Sequence, residues 1–212
     1  MEELHQCFEA SRKRIGLTSR YAPVFYNAAA SLRFEIGGDE EIYLADHRMP
    51  NGAYVENALD RAMAIYRQLP AAPDILRLET FYRQKDRPYV SQRMLTNLGL
   101  PQPDLLVPGQ KEPEHQEDSP CFYYWNLEKG APFLRKLLRE IILGEISPQG
   151  LDWLCSSVYF LDSRHDILYH LYDDRGCDVV APEKTLLEPL YREFNQWILD
   201  YDREQIDRLF QK

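Results

Sequence analysis

The densest polar cluster in the chain is Asp173-Asp174-Arg175-Gly176, with Asp178 two residues on. Three carboxylates this close could hold a hard divalent cation for metal-assisted hydrolysis, or could present an acidic face to a partner. The spacing is not that of a calcium loop, which alternates Asp or Asn before a glycine and ends on a glutamate. The same residues also suit a hairpin turn entered through Tyr172. An aspartate there bonds its own backbone, Gly176 supplies a positive φ, and Arg175 pairs with a neighbouring carboxylate. Arg33 and Glu35 lie on one face of an alternating segment, Ser31 to Ile36, while Phe34 and Ile36 take the other. That pair could bind a polar or anionic ligand, or pair across strands in solvent. Arg61 sits beside Ala58 and Ala62 on an amphipathic helix, placed to reach Glu35 or the Asp173 cluster. Together these side chains form the candidate binding site, with no catalytic residue assigned.

Other reactive residues are scattered. His165 and His170 are five apart, which on a strand puts them on opposite faces, so they cannot clamp one metal. His5 falls on the first helix and His115 in a polar loop, and His47 beside Asp46 could form an acid/base pair on a loop, although adjacent side chains usually point apart. Cys7, Cys121, Cys155 and Cys177 contain no C-x-x-C pair, so they read as reduced core residues without a metal or a disulfide frame. No nucleophile elbow, phosphate loop, dinucleotide fingerprint or H-E-x-x-H occurs, and no cofactor is implied. Tyr123-Tyr124-Trp125, Tyr159-Phe160, Tyr169 and Tyr172 could line a groove or an interface, but most should fill the buried sides of strands.

The elements that must position these residues follow from periodicity. Residues 2–15 form a helix with Leu4, Cys7, Phe8 and Ile15 on one side. Ser31–Ile36 is a strand, Gly37-Gly38-Asp39 a turn, and Glu41–Leu44 its returning strand. Tyr54–Leu69 is an amphipathic helix with Val55, Ala58, Leu59, Ala62, Ile65 and Leu69 in its apolar stripe. Ile75–Phe81 alternates as a strand. Residues 99–120 carry five prolines and read as a long surface loop or linker. Cys121–Trp125 is so aromatic that both its faces must be covered. A helix follows Pro132, then strands over Leu151–Leu161 and Ile167–Tyr172 and a hairpin return through Val180. A helix near Pro189 buries Leu190, Phe194, Trp197 and Ile198. Asp202 and Gln205 have the spacing of a capping box for a last helix. Short links between neighbouring strands predict an α+β class: a mainly antiparallel sheet of about six strands, helices packed on one side, in a single domain over 1–212.

The 212 residues carry 25 Lys and Arg against 34 Asp and Glu, a net charge of −9. Residues 107–212 hold 12 basic and 20 acidic residues, so that half alone carries −8. Such a surface argues against a phosphate backbone as partner and can steer a basic protein instead. Arg12-Lys13-Arg14 with Arg20 is a local exception, and it fits the last turn of the first helix. Fourteen Tyr, nine Phe and three Trp exclude a disordered chain. No apolar run is long enough to span a membrane, and Met1-Glu2-Glu3 is acidic where a leader would be basic, so a soluble cytoplasmic protein is expected.

Three segments resemble the bacterial family of unknown function DUF3885. They are Leu32-Arg33-Phe34-Glu35-Ile36-Gly37, the helix holding Ala58, Arg61, Ala62 and Ile65, and the C-terminal stretch. In that last stretch the likeness runs from Val158-Tyr159-Phe160-Leu161-Asp162 through Leu171-Tyr172-Asp173-Asp174-Arg175-Gly176-Cys177-Asp178 to Trp197–Glu204. The resemblance implies the fold and a bacterial origin and brings no activity with it. A general likeness to toxin-immunity proteins, small, acidic and without a catalytic signature, points to a toxin or prophage-encoded partner. The sequence therefore favours a non-enzymatic protein-binding module with an acidic C-terminal surface over a hydrolase built on Asp173, Asp174 and Asp178.

Overall fold

The computed structural model describes residues 2–18, 23–45, 49–82, 92, 95–109, 119–147 and 156–211. Seven strands, β1 (Ala30–Glu35), β2 (Ile75–Tyr82), β3 (Leu105–Pro108), β4 (Ser119–Asn126), β5 (Ser156–Asp162), β6 (Ile167–Leu171) and β7 (Gly176–Ala181), form one sheet in the order β1-β7-β6-β5-β2-β4-β3. Every pairing is antiparallel. The α+β class therefore holds.

Strand alternation sorts the core into two layers. On one face Leu32, Phe34, Leu76, Leu78, Tyr123, Phe160, Tyr169 and Val179 meet helices α3 (Gly52–Arg67) and α4 (Leu134–Ile146) and the C-terminal segment. Asn51 starts α3 by accepting the Ala53 N–H on its side chain at 3.0 Å. On the other face Ile75, Phe122, Tyr124, Leu161, Leu168 and Val180 meet Phe8 and Ile15 of α1 (Glu2–Ile15), and Val24 of the short α2 (Val24–Asn27). Helices thus cover both sides of the sheet, where the sequence predicted one. On the second face of β2 the polar residues Arg77 and Glu79 are buried.

Three further departures have local causes. Glu41–Leu44 is not a returning strand: β1 pairs with β7, and only a single bridge joins Tyr43 to Pro50. Inside the proline-rich stretch, residues 105–108 form the edge strand β3 on β4. The helix at Pro189, α5 (Glu188–Glu193), stops early, and Ile198 runs extended to bridge Phe34. The last helix, α6 (Arg203–Phe210), has no side-chain cap. The Asp202 carboxylate goes instead to Tyr26 and Arg33.

A candidate binding site at the β1 edge

Register brings the polar candidates together. Arg33 on β1 faces Asp178 on β7, and Asp178 faces His170 on β6. The row continues through Tyr159 on β5, whose ring stacks on His170 at 4.5 Å, to Arg77 on β2 and Tyr124 on β4. Six strands thus place Tyr124, Arg77, Tyr159, His170, Asp178 and Arg33 in one polar and aromatic seam across the sheet, under α1 at one end and beside α2 at the other.

Arg33 organises the β1 end. Its Nε and Nη2 donate to the two oxygens of Asp178 at 2.7 and 3.0 Å, the two-pronged geometry in which guanidinium and carboxylate match best. Its Nη1 reaches Asp202 and the Tyr26 hydroxyl, both at 3.3 Å, and Tyr26 donates to Asp202 at 3.0 Å. The guanidinium lies over the rings of Phe25 and Tyr26 at 4.5 and 5.0 Å. Burial works against its charge, but the Asp178 carboxylate outweighs that and raises its pKa. Asp178 is only 1% exposed; burial raises its pKa, and the bonds from Arg33 oppose that rise. His170 has no partner for Nδ1. Burial, followed by the nearby Arg33 charge, pulls its pKa down to about 4, so it is neutral at pH 7.

The carboxylates of the turn do not converge on one point. Asp173 accepts the Arg175 backbone N–H at 2.8 Å and its Nε at 2.9 Å, which is the self-bonded turn the sequence allowed. Asp174 turns to the other side of the sheet and accepts the Tyr54 hydroxyl of α3 at 2.6 Å. Burial raises the Asp174 pKa, with the Tyr54 bond opposing it. Asp178 belongs to Arg33. Among the described residues no three His, Cys, Asp or Glu side chains are arranged to hold a metal ion. Gly176 does not adopt a positive φ. Glycine is required there for space: a Cβ would stand 2.5 Å from the Phe34 carbonyl oxygen and closer still to the Tyr172 hydroxyl.

Two candidates separate from the rest. Glu35 is exposed, and its strand neighbour Arg33 pairs elsewhere. Arg61 joins neither Glu35 nor the Asp173 turn; its guanidinium lies over the Trp197 ring at 5.2 Å. Asp46, His47, His115, Cys155 and Arg20 lie outside the described residues.

Sequence reasoning missed Arg77, Glu79, Tyr26, His170 as a member of the seam, and Tyr201. Arg77 is buried among Phe8, Phe122 and Tyr159, with Glu9 of α1 at 2.8 Å and Glu79 in direct contact. Burial opposes its charge, and Glu79, Tyr124, Glu9 and Tyr159 together outweigh that and raise its pKa. The doubly covered aromatic strand beside it was the available signal. Beyond the Arg33 cluster, Tyr26 and Tyr201 line a groove of about 710 Å³ between α2, the start of β1 and α6, with Lys184, Glu204 and Arg208 also on its lining. Tyr201 is 86% exposed and Tyr26 50%.

What the fold and site define is an α+β protein in which Arg33 pairs with Asp178 and Arg175 with Asp173, with an aromatic-rimmed groove nearby. The model of the family described as "Domain of unknown function (DUF3885)" matches residues 12–202, and the chain belongs to that family. It is also similar to the "Uncharacterized protein YnaE" of Bacillus subtilis (strain 168), 39% identical over 44 residues, a segment covering 21% of each chain. No solved structure matches. No helix among the described residues is long and apolar enough to cross a membrane.

Proposed function

We propose that this chain is a non-enzymatic protein-binding module that engages its partner at the groove between α2, β1 and α6. The observation that carries this reading is the pair of exposed tyrosines on one groove: Tyr201 at 86% and Tyr26 at 50% exposure. Tyrosine supplies a large amphipathic contact at low entropic cost and is enriched where proteins meet. The groove's own charged lining is Lys184, Arg208 and Glu204, while the C-terminal half of the chain, which supplies part of it, carries the net −8 that favours a basic partner. Engagement of Asp173 by Arg175, Asp174 by Tyr54 and Asp178 by Arg33 supports this reading over a metal-assisted hydrolase.

The test is affinity capture from a lysate of the source cells with wild type, Tyr201→Ala and Asp173→Ala, each first shown folded by its thermal melt. A protein held by wild type and Asp173→Ala and lost from Tyr201→Ala supports the groove. Equal capture by all three, or loss from Asp173→Ala alone, overturns it.

A further inference from the structure

We propose that α1 is a charge-latched lid over the aromatic face of the sheet, able to lift without the rest of the domain unfolding. The way α1 is held differs from that of the other long helices among the described residues, α3 and α4. α3 buries eight side chains, all of them apolar or tyrosine. α1 is of similar length but buries only Phe8 and Ile15 as apolar anchors, beside Ser11 and Arg12. Leu4 and Cys7 pack half-buried against the same cluster, and the remaining attachment is polar and reaches across long stretches of chain. Arg77 Nη1 donates to Glu9 at 2.8 Å, and Arg12 braces the same carboxylate at 3.1 Å. Ser11 Oγ donates to Asp166 at 2.7 Å, and Arg14 grips both Asp166 oxygens at 2.6 and 2.7 Å. His5 Nδ1 meets the Tyr124 hydroxyl at 2.7 Å.

Such a contact can open because its charged members regain water when it does, whereas a lost apolar anchor regains nothing. Arg14 is already half exposed. Asp166 is held at φ +56°, an uncommon conformation for a non-glycine residue, by the hairpin that carries it. Its carboxylate thus presents to α1 a receptor belonging to the β5–β6 turn and not to the helix. Beneath the lid lie Phe122, Tyr124 and Tyr159, with the Arg77 guanidinium stacked among them at 4.5 Å from Phe122 and 5.6 Å from Tyr159. Lifting α1 therefore uncovers an aromatic face centred on the Arg77–Glu79 ion pair. This inference is independent of the groove beside α6.

Hydrogen exchange of the full-length protein tests it, read by mass spectrometry on peptides from α1, α3 and β2. In wild type, α1 should exchange at least about tenfold faster than α3 after correction for intrinsic rates, and faster again in 1 M NaCl while α3 holds. Glu9→Gln should speed exchange in α1 by about tenfold and leave α3 unchanged. Arg14→Gln, a change at an exposed side chain, gives the same selective effect should Glu9→Gln perturb folding. Equal protection of α1 and α3 in wild type, or variants and salt that change both helices together, would overturn the proposal.

Discussion

His170 makes the stability of this domain depend on pH in a way that can be calculated. It is half-buried in the seam, stacked on Tyr159, with its buried Nδ1 unpartnered and the Arg33 charge nearby. In the unfolded chain its pKa is the ordinary 6.5, and in the fold it is pulled down to about 4. The unfolded state therefore binds more protons between these two values. The stability contributed by the neutral imidazole is complete above pH 6.5 and is lost progressively as pH falls towards 4. At 1.36 kcal/mol per unit, the whole shift corresponds to roughly 3 kcal/mol, most of it gone by pH 4.5. Carboxylates titrate over the same range, so wild type must be compared with His170→Gln. Urea melts at pH 7.5, 6.5, 5.5 and 4.5 give the difference in unfolding free energy at each pH. That difference should move by about 2–3 kcal/mol against wild type between the highest and lowest pH. A constant difference would show that His170 is hydrated or paired in the fold, and would refute the seam as described.

Arg33→Ala leaves the buried Asp178 carboxylate without its partner and should cost about 3–5 kcal/mol, read as a fall in urea midpoint; Arg33→Lys should recover only part of it, since a lysine cannot make the two-pronged bond. Tyr54→Phe removes the only side-chain donor to Asp174 among the described residues and should cost about 1–3 kcal/mol by the same measure. Gly176→Ala forces a Cβ against the Phe34 carbonyl and should cost about 3 kcal/mol or prevent soluble expression, whereas Gly130→Ala, whose Cβ meets no atom, should be limited to the strain of its φ of +91°. Equal thermal shifts for those two glycine variants would remove the crowding argument at Gly176.

Much of the fold was legible because it is local. The helix over residues 2–15, the α3 stripe, the alternation of Ile75–Phe81 and the doubly covered Cys121–Trp125 all follow from period and residue type. The Asp173–Arg175 turn was legible for the same reason. What periodicity does not carry is which strand lies beside which. Arg33 and Asp178 stood among the candidates, but they become a pair only because β1 docks on β7, 145 residues along the chain. That same docking removed the hairpin expected at Glu41–Leu44 and left Glu35 in solvent. The alternation of Ile75–Phe81 does not say what lies over Arg77 and Glu79, because α1 comes from a distant part of the chain. Asp202 had the spacing of a helix cap, and a guanidinium and a phenol from elsewhere in the chain claimed it instead.

The claim that partner binding occurs at the groove is tested most directly by placing a photoreactive phenylalanine derivative at position 201 and irradiating the protein in the cells that make it. The position tolerates it, being 86% exposed. A control at Asp60, exposed on α3, faces another side of the domain. The account predicts one discrete crosslinked species from position 201 and none from position 60. No adduct from position 201, or the same adducts from both positions, would contradict it.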